Sequence, residues 1–131
     1  MSQTVDPREA FVSQIAALHP LEETAQTYLY DHLRVLERDR KEILLTIGKV
    51  NDSMCFVHSG LARAFTEKQG ETHKTEKLTS FFALGSNFAF SPPSFFNKKP
   101  NQEGIIMLED SVIVALPYQE LQEFLQTASR H

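Results

Sequence analysis

The chain has a single cysteine, Cys55, among its 131 residues. One cysteine cannot form an intramolecular disulfide, so the fold must be held by a buried core, and a chain of this length can bury one in a single domain. It also has no secretory leader and no apolar run near the roughly 18 residues of a membrane span. We therefore expect one cytoplasmic domain covering residues 1–131, with no membrane contact.

Positive charge is also scarce. The chain carries 13 basic and 17 acidic residues, which give a formal net charge of -4. A domain that holds nucleic acid electrostatically needs the opposite sign, so we expect no DNA binding by this chain alone.

Patterns of metal ligands and catalytic groups are missing as well. His58 and His73 are far apart, no His-x-His occurs, and the metal pattern of cupin barrels is not found. One cysteine cannot ligate an iron-sulfur cluster within one chain, and Cys55 lies in an apolar pattern typical of a buried, inert thiol. No nucleophile, base and oxyanion site come together, so we predict no catalytic residue, no metal site and no enzyme.

The first part of the chain has helical patterns. Asp6 and Pro7 form a helix start, and Phe11, Ile15 and Leu18 follow at helical spacing. Residues 19–20, His-Pro, end this helix and begin a second one. The second helix has an apolar stripe formed by Leu21, Ala25, Tyr28, Leu29 and His32. The pattern predicts helices over residues 6–33 that pack on an apolar surface.

Short strand-like runs then alternate with turn residues. The runs are residues 35–38, 43–47, 54–58, 61–65, 105–108 and 112–116. Such spacing is typical of a β-sandwich or barrel, here over about residues 34–116. Pro117 then opens a last helix over residues 117–127, with Tyr118, Leu121, Phe124 and Leu125 on one side.

Residues 78–116 form the stretch around which we expect the chain to be organised. Two strand-like runs flank an irregular segment rich in Phe, Pro, Ser and Asn. Loops held between rigid strands carry function more often than the strands do. We predict that a ligand binds at this segment.

Several short motifs occur in an informative order. They are Gly48, residues 56–63 (FVHSGLAR), Gly70-Glu71, Ser94-Phe95-Phe96, residues 108–111 (LEDS) and the closing helix. In this order and spacing, from about Leu21 to Leu125, the chain resembles the cyclic-nucleotide-binding-like sensor domain of Crp/Fnr-type bacterial transcription regulators. The resemblance implies an α+β, mainly β fold: a jelly roll (double-stranded β-helix) of about eight antiparallel strands, with N-terminal helices and a short C-terminal helix.

The resemblance also implies a phosphate-binding cassette, in which a Gly-Glu pair opens a short helix and an Arg-Ser/Thr pair grips a cyclic phosphate. Counting back from Leu108, the Gly-Glu pair falls on Phe90-Ser91 and the Arg-Ser/Thr pair on Asn101-Gln102. The charged and helix-opening elements are therefore missing, and Pro92-Pro93 removes backbone amides that could donate to phosphate. The cassette residues do not support binding of cyclic AMP, the effector that the family suggests, and no other cofactor is predicted.

The irregular segment within residues 78–116 could still bind a ligand other than a cyclic nucleotide. Phe81, Phe82, Phe88, Phe90, Phe95 and Phe96 would surround a pocket whose polar groups are neutral. The predicted site consists of Phe90, Ser91, Ser94, Phe95, Asn101 and Gln102. It suits a neutral or weakly anionic, partly apolar effector. Lys98 and Lys99 could add positive charge, or could lie in a solvated turn.

Two functions are compatible with the sequence. The first is an effector-sensing regulatory domain, the sensor half of a longer Crp/Fnr-like regulator. It would bind a small molecule of unknown identity and reach DNA only through a missing C-terminal helix-turn-helix domain, which leaves a homodimer open for the longer protein. The alternative is a ligand-blind structural or protein-interaction module on the same fold.

Overall fold

The structure is a computed structural model that describes residues 5–70, 74–85 and 87–128. Its helices are α1 (Pro7–Leu18), α2 (Glu23–His32), α3 (Pro92–Asn97) and α4 (Tyr118–Ala128). Its strands are β1 (Arg34–Arg38), β2 (Ile43–Leu45), β3 (Ser53–Ser59), β4 (Leu61–Gln69), β5 (Thr75–Leu84), β6 (Asn87–Phe88), β7 (Gly104–Met107) and β8 (Ser111–Pro117). Glu71 and His73, on which two of the predictions fall, lie outside the described residues.

The strands form two four-stranded antiparallel sheets. One sheet has the order β1-β8-β3-β6 and the other the order β2-β7-β4-β5. This arrangement confirms the predicted mainly β jelly roll with eight strands, helices at its start and a helix after its last strand.

Strand β8 explains how the two sheets and the helices share one core. Ile113 and Ala115 pack between the sheets, whereas Val114 and Leu116 pack on the opposite face, against the helices. Side chains alternate between the faces of a strand, so a strand that is covered on both faces reads as a continuous apolar run. The run at 112–116 is therefore a central strand, and it pairs with both β1 and β3.

The start of α1 matches the sequence pattern. The Asp6 carboxylate accepts a hydrogen bond from the Arg8 backbone N–H at 2.9 Å, and Pro7 occupies the first turn. Phe11 is fully buried against the sheet, but Leu18, which the spacing placed on the same stripe, is 79% exposed. The last turn of α1 therefore extends beyond the surface that the helix covers.

Two predicted helix boundaries are wrong. The second helix begins at Glu23 rather than directly after Pro20, and Pro117 ends β8 instead of opening the last helix, which begins at Tyr118. Proline fits the end of a strand because it needs no ladder donor there. In α4, Phe124 is buried as predicted, whereas Leu125 is 53% exposed.

The turn between β3 and β4 depends on Gly60, whose φ is +113°. A Cβ atom at this position would lie 2.8 Å from the Cα atom of Ser111, the first residue of β8. No side chain fits so close to another backbone, so the turn requires glycine. The Gly60 motif and the 108–111 motif are thus in direct contact.

Candidate ligand-binding site

The segment after β6 forms a short helix instead of the irregular loop that we predicted. Ser91 has an extended backbone, prolines occupy the first two positions of α3, and the Phe95 N–H donates to the Ser91 carbonyl at 2.8 Å. Proline fits the first turn because it loses no intrahelical hydrogen bond there. The same prolines carry no N–H, so the beginning of α3 lacks two of the backbone donors that could hold a phosphate.

Ser94 connects α3 to the segment that precedes β3. Its side chain is buried, and its Oγ accepts a hydrogen bond from the backbone N–H of Asn51 at 2.8 Å. This bond fixes the α3 backbone relative to the sheet.

Asn101 is the residue on which the count from Leu108 places the phosphate-binding arginine of the family. The residue is 4% exposed, and its side-chain Nδ2 donates to the Thr46 carbonyl at 3.0 Å. Its backbone N–H donates to the Lys49 carbonyl at 2.8 Å, and its carbonyl accepts from the Gly48 N–H at 2.9 Å. Asn101 therefore holds the loop after β2 through its backbone and its Nδ2, while its Oδ1 is buried without a hydrogen-bond partner.

A cavity of about 210 Å³ lies beside α3 and the segment that leads into β7. It is lined by Ser91, Ser94, Lys99, Pro100, Gln102 and Glu103. Three of the six predicted site residues, Ser91, Ser94 and Gln102, lie together here. Phe90, Phe95 and Asn101 are not part of this lining.

The phenylalanines of this segment pack against one another instead of surrounding the cavity. Phe95 is fully buried, with ring-centroid distances of 5.6 Å to Phe90 and 5.4 Å to Tyr118, both edge to face. Phe81 and Phe82 lie on β5 and are 38% and 56% exposed. The prediction that aromatic side chains enclose the pocket is therefore wrong for this cavity, whose described lining contains no aromatic side chain.

Glu103 and Lys99 give the cavity its charge. The Oε2 atom of Glu103 is buried and has no hydrogen-bond partner, whereas the Lys99 side chain is exposed. The sequence analysis did not include Glu103 in the site, although it directly follows Gln102, the last residue of the predicted site.

The end of α3 contacts the beginning of α4. Lys98 has a left-handed backbone that ends α3, and its Nζ lies 3.4 Å from the centre of the Tyr118 ring. Together with the Phe95–Tyr118 contact, this cation–π interaction joins the cavity segment to the last described helix. Lys98 is thus engaged with an aromatic ring and does not line the cavity.

Other parts of the molecule offer weaker site candidates. A cavity of about 450 Å³ is an open groove between α1 and α2, away from the α3 segment. Cys55 is buried as predicted, and burial raises the pKa of its thiol to about 12, which keeps it protonated.

In the described ranges, no group of three or more His, Cys, Asp or Glu side chains is placed to hold a metal ion. No helix in these ranges is long and apolar enough to cross a membrane.

A protein-family comparison identifies the fold. The model of the cyclic nucleotide-binding domain matches residues 35–128. The chain therefore belongs to the cyclic nucleotide-binding domain family, which confirms the resemblance seen in the sequence. No curated protein matches the chain.

Solved structures with the same fold share little sequence with this chain. The catabolite activator protein of Thermus thermophilus is 14% identical, with a TM-score of 0.70, and the match covers 95% of this chain and 52% of that protein. The sensor domain of the transcriptional regulator DNR from Pseudomonas aeruginosa is 13% identical, with a TM-score of 0.71 and coverage of 92% and 80%. The regulatory subunit of a cAMP-independent protein kinase A from Trypanosoma cruzi, bound to guanosine, is 14% identical, with a TM-score of 0.71 and coverage of 92% and 42%. The chain thus spans about half the length of the catabolite activator, and these likenesses show the fold alone.

Proposed function

We propose that this chain is an effector-sensing regulatory domain of a Crp/Fnr-like transcription regulator and that it has lost the family's grip on a cyclic phosphate. The effector is a small molecule that binds in the cavity beside α3. The domain works in the cytoplasm as a regulator and not as an enzyme. In this proposal the chain is part of a longer protein whose C-terminal domain contacts DNA. The longer protein could form a homodimer.

The observation that carries this proposal is the burial and hydrogen bonding of Asn101. An arginine at this position would offer the phosphate a charged, planar group with several donors. Asn101 instead spends its side-chain donor on the Thr46 carbonyl and is almost completely buried. A hydrogen bond to an ionic group contributes roughly 1.5–3 kcal/mol, so loss of the arginine alone weakens binding by about one to two orders of magnitude.

The cavity favours a small effector. Its volume of about 210 Å³ is below the roughly 300–1,000 Å³ of pockets that take drug-sized ligands. Ser91, Ser94 and Gln102 supply neutral hydrogen-bonding groups. One protein of this fold, the cAMP-independent regulatory subunit from Trypanosoma cruzi, has guanosine bound, so the fold accommodates a ligand without a phosphate.

The contacts of Tyr118 supply a route for output. Phe95 and Lys98, on either side of the last turn of α3, both contact this first residue of α4. A ligand that prefers one position of α3 would therefore also bias the position of α4. The transcriptional regulator DNR from Pseudomonas aeruginosa, whose sensor domain has this fold, supports the assignment of the output to transcription.

A thermal-shift titration of this chain tests the proposal. A ligand at about a hundred times its dissociation constant adds roughly 2.7 kcal/mol to the folded state, which raises the midpoint by several degrees. We expect no shift with cyclic AMP or cyclic GMP and a shift with at least one uncharged compound of a metabolite panel. Ser91→Trp should fill the cavity and remove that shift, while Ser80→Trp, on the exposed strand β5, should retain it.

A large shift with cyclic AMP would show that the cassette still works and would contradict the proposal. The absence of a thermal shift with every compound of the panel would favour the alternative, a ligand-blind interaction module.

One observation favours that alternative: β5 is paired on one side only among the described strands. It exposes about half of each of the side chains Leu78, Phe82 and Leu84. Apolar side chains on an edge strand are a typical protein-contact surface.

A further inference from the structure

Strand β5 has one edge with which no other described strand pairs. It is last in its sheet, next to β4, and all of its residues from Thr75 to Phe82 are exposed. An unpaired edge presents backbone N–H and C=O groups that can pair with another strand. Proteins usually protect such edges with charged side chains or proline, but residues 78–84 (LTSFFAL) contain neither. This edge is therefore suited to the addition of a further strand.

A β-bulge divides β5 into two halves. Ala64 of β4 lies opposite Phe81, whereas the next residue of β4, Phe65, lies opposite Thr79, so Ser80 is an extra residue in β5. Side chains alternate between the two faces of a strand, and one extra residue reverses this alternation. Even and odd positions of β5 therefore exchange faces at Ser80.

Contacts with β4 show which side chains of β5 lie on the face turned away from the other sheet. Arg63 lies opposite Phe82, and its Nε donates to Thr79 Oγ1 at 2.8 Å. The Arg63 guanidinium also lies 5.8 Å from the centre of the Phe65 ring, and the Lys77 Nζ lies 4.9 Å from the same ring. Lys77, Thr79 and Phe82 therefore share this outer face.

The opposite, inner face of β5 carries apolar side chains that are only partly covered. Ala83 is buried there in the core between the sheets, and Phe81, two positions away, lies on the same side. Beyond the bulge this face continues with Leu78, because both of its neighbours in the strand belong to the outer face. Leu78 and Phe81 are 47% and 38% exposed, so apolar surface is free on both halves of the strand.

This arrangement makes β5 complementary to a second β5. When two copies are aligned antiparallel along the whole strand, Thr75 lies opposite Leu84 of the partner subunit, and Leu78 lies opposite Phe81 of the partner subunit. The bulge lies at the centre of this alignment. Each half of one strand therefore meets the half of the other strand that has the matching faces.

Other alignments of the two strands are less favourable. A shift by one residue would bring outer-face side chains opposite inner-face side chains. An alignment centred on Glu76 or on Lys77 would place like charges opposite each other, which is destabilising. In the full-length alignment, by contrast, Glu76 lies opposite Ala83 of the partner subunit and Lys77 lies opposite Phe82 of the partner subunit.

We propose that β5 pairs antiparallel and along its full length with β5 of a second copy of this chain, which joins the four-stranded sheets of the two copies into one continuous sheet. The interface is isologous: Leu78 contacts Phe81 of the partner subunit, and Phe81 contacts the partner subunit's Leu78. This inference does not depend on the proposed effector, because β5 contributes no residue to the lining of the cavity beside α3.

Analytical ultracentrifugation of this chain over a hundredfold range of concentration tests the homodimer. We expect a reversible equilibrium between monomer and dimer. Leu78→Glu places a carboxylate opposite Phe81 of the partner subunit at two symmetric positions and should raise the dissociation constant at least tenfold. Leu18→Glu, the matched control, replaces an exposed leucine at the end of α1 and should change the dissociation constant by less than twofold. A chain that stays monomeric throughout, or a dimer that Leu78→Glu leaves intact, would overturn the inference.

Cysteine cross-linking tests the register of the two strands. In the presence of oxidised glutathione, a Leu78→Cys chain mixed with a Phe81→Cys chain should form a disulfide-linked dimer. Neither variant should do so alone, because each position lies three residues along the strand from its own symmetry mate, too far for a disulfide. Cys55 is buried and does not compete.

The control for the cross-linking is Leu78→Cys mixed with Phe82→Cys, whose cysteine lies on the outer face and should remain unlinked. Absence of a link in the first mixture, or an equal yield in the control mixture, would show that the two strands do not pair in this register and would overturn the inference.

Discussion

The turn at Gly60 and the segment 91–103 differ in what they require of the sequence. At Gly60 the requirement is steric: any side chain would collide with the backbone of Ser111. In the segment 91–103 the requirement is that buried space be filled and that buried polar groups form hydrogen bonds. Several residue types can meet this requirement. The first region keeps the Gly60 motif of the resemblance. The second keeps Ser94-Phe95-Phe96, but the count from Leu108 predicts that it lacks the residues of the implied cassette.

This difference indicates that the fold depends on the first region more strictly than on the residue types of the second. The close backbone contact at Gly60 admits only glycine, because any Cβ atom there would collide with Ser111. This steric requirement does not depend on a ligand. In the segment 91–103, Asn101 and Phe95 are buried, and the Asn101 Nδ2 donates to the Thr46 carbonyl. If this interpretation is right, substitutions in the segment 91–103 should affect stability as substitutions in a core do.

The largest effect is expected at Phe95. Phe95→Ala removes a fully buried ring from its contacts with Phe90 and Tyr118 and should lower the free energy of unfolding by about 4 kcal/mol. Phe96→Ala is the matched control: its ring is 49% exposed, so the loss should be about 1 kcal/mol. Urea denaturation measures both values. Equal, small losses would mean that α3 is a loosely held ligand element and not part of the scaffold.

A smaller effect is expected at Gly60. Gly60→Ala combines strain at a positive φ with a clash against Ser111 and should cost about 3 kcal/mol. Gly48 also has a positive φ, +89°, but a Cβ atom there would meet nothing within 4 Å, so Gly48→Ala should cost about 1 kcal/mol. Thermal unfolding of the two variants separates the clash from the strain. A similar loss of stability for both variants would show that the contact with Ser111 is not what requires glycine at position 60.

The smallest effect is expected at Asn101. Asn101→Ala loses the hydrogen bond to the Thr46 carbonyl and should lower the free energy of unfolding by about 1 kcal/mol. Gln102→Ala, in the exposed neighbouring position, should stay within about 0.5 kcal/mol of the wild type. Urea denaturation that shows no loss for Asn101→Ala would contradict the structural role of this position and make it available again for a ligand.

Much of the fold was determined by the sequence alone. The Asp6–Pro7 start, the apolar runs and the turn residues predicted α1, six of the strands and the final helix, because cap chemistry and side-chain periodicity are local properties. The predictions failed at boundaries such as Pro117 and at exposed ends such as Leu18. There the outcome depends on which neighbouring surface a residue meets, and periodicity contains no information about that surface.

The site divides in the same way. Sequence order alone predicted that the phosphate-binding residues are missing, which stays a prediction, and it placed Ser91, Ser94 and Gln102 in the candidate pocket. Only the tertiary structure decided that Phe95 packs into an aromatic cluster, that Asn101 holds the loop after β2, and that Glu103 has a buried, unpartnered oxygen. The physical reason is that residue type states which hydrogen bonds a side chain can make, whereas the packing of distant segments decides which partners are within reach.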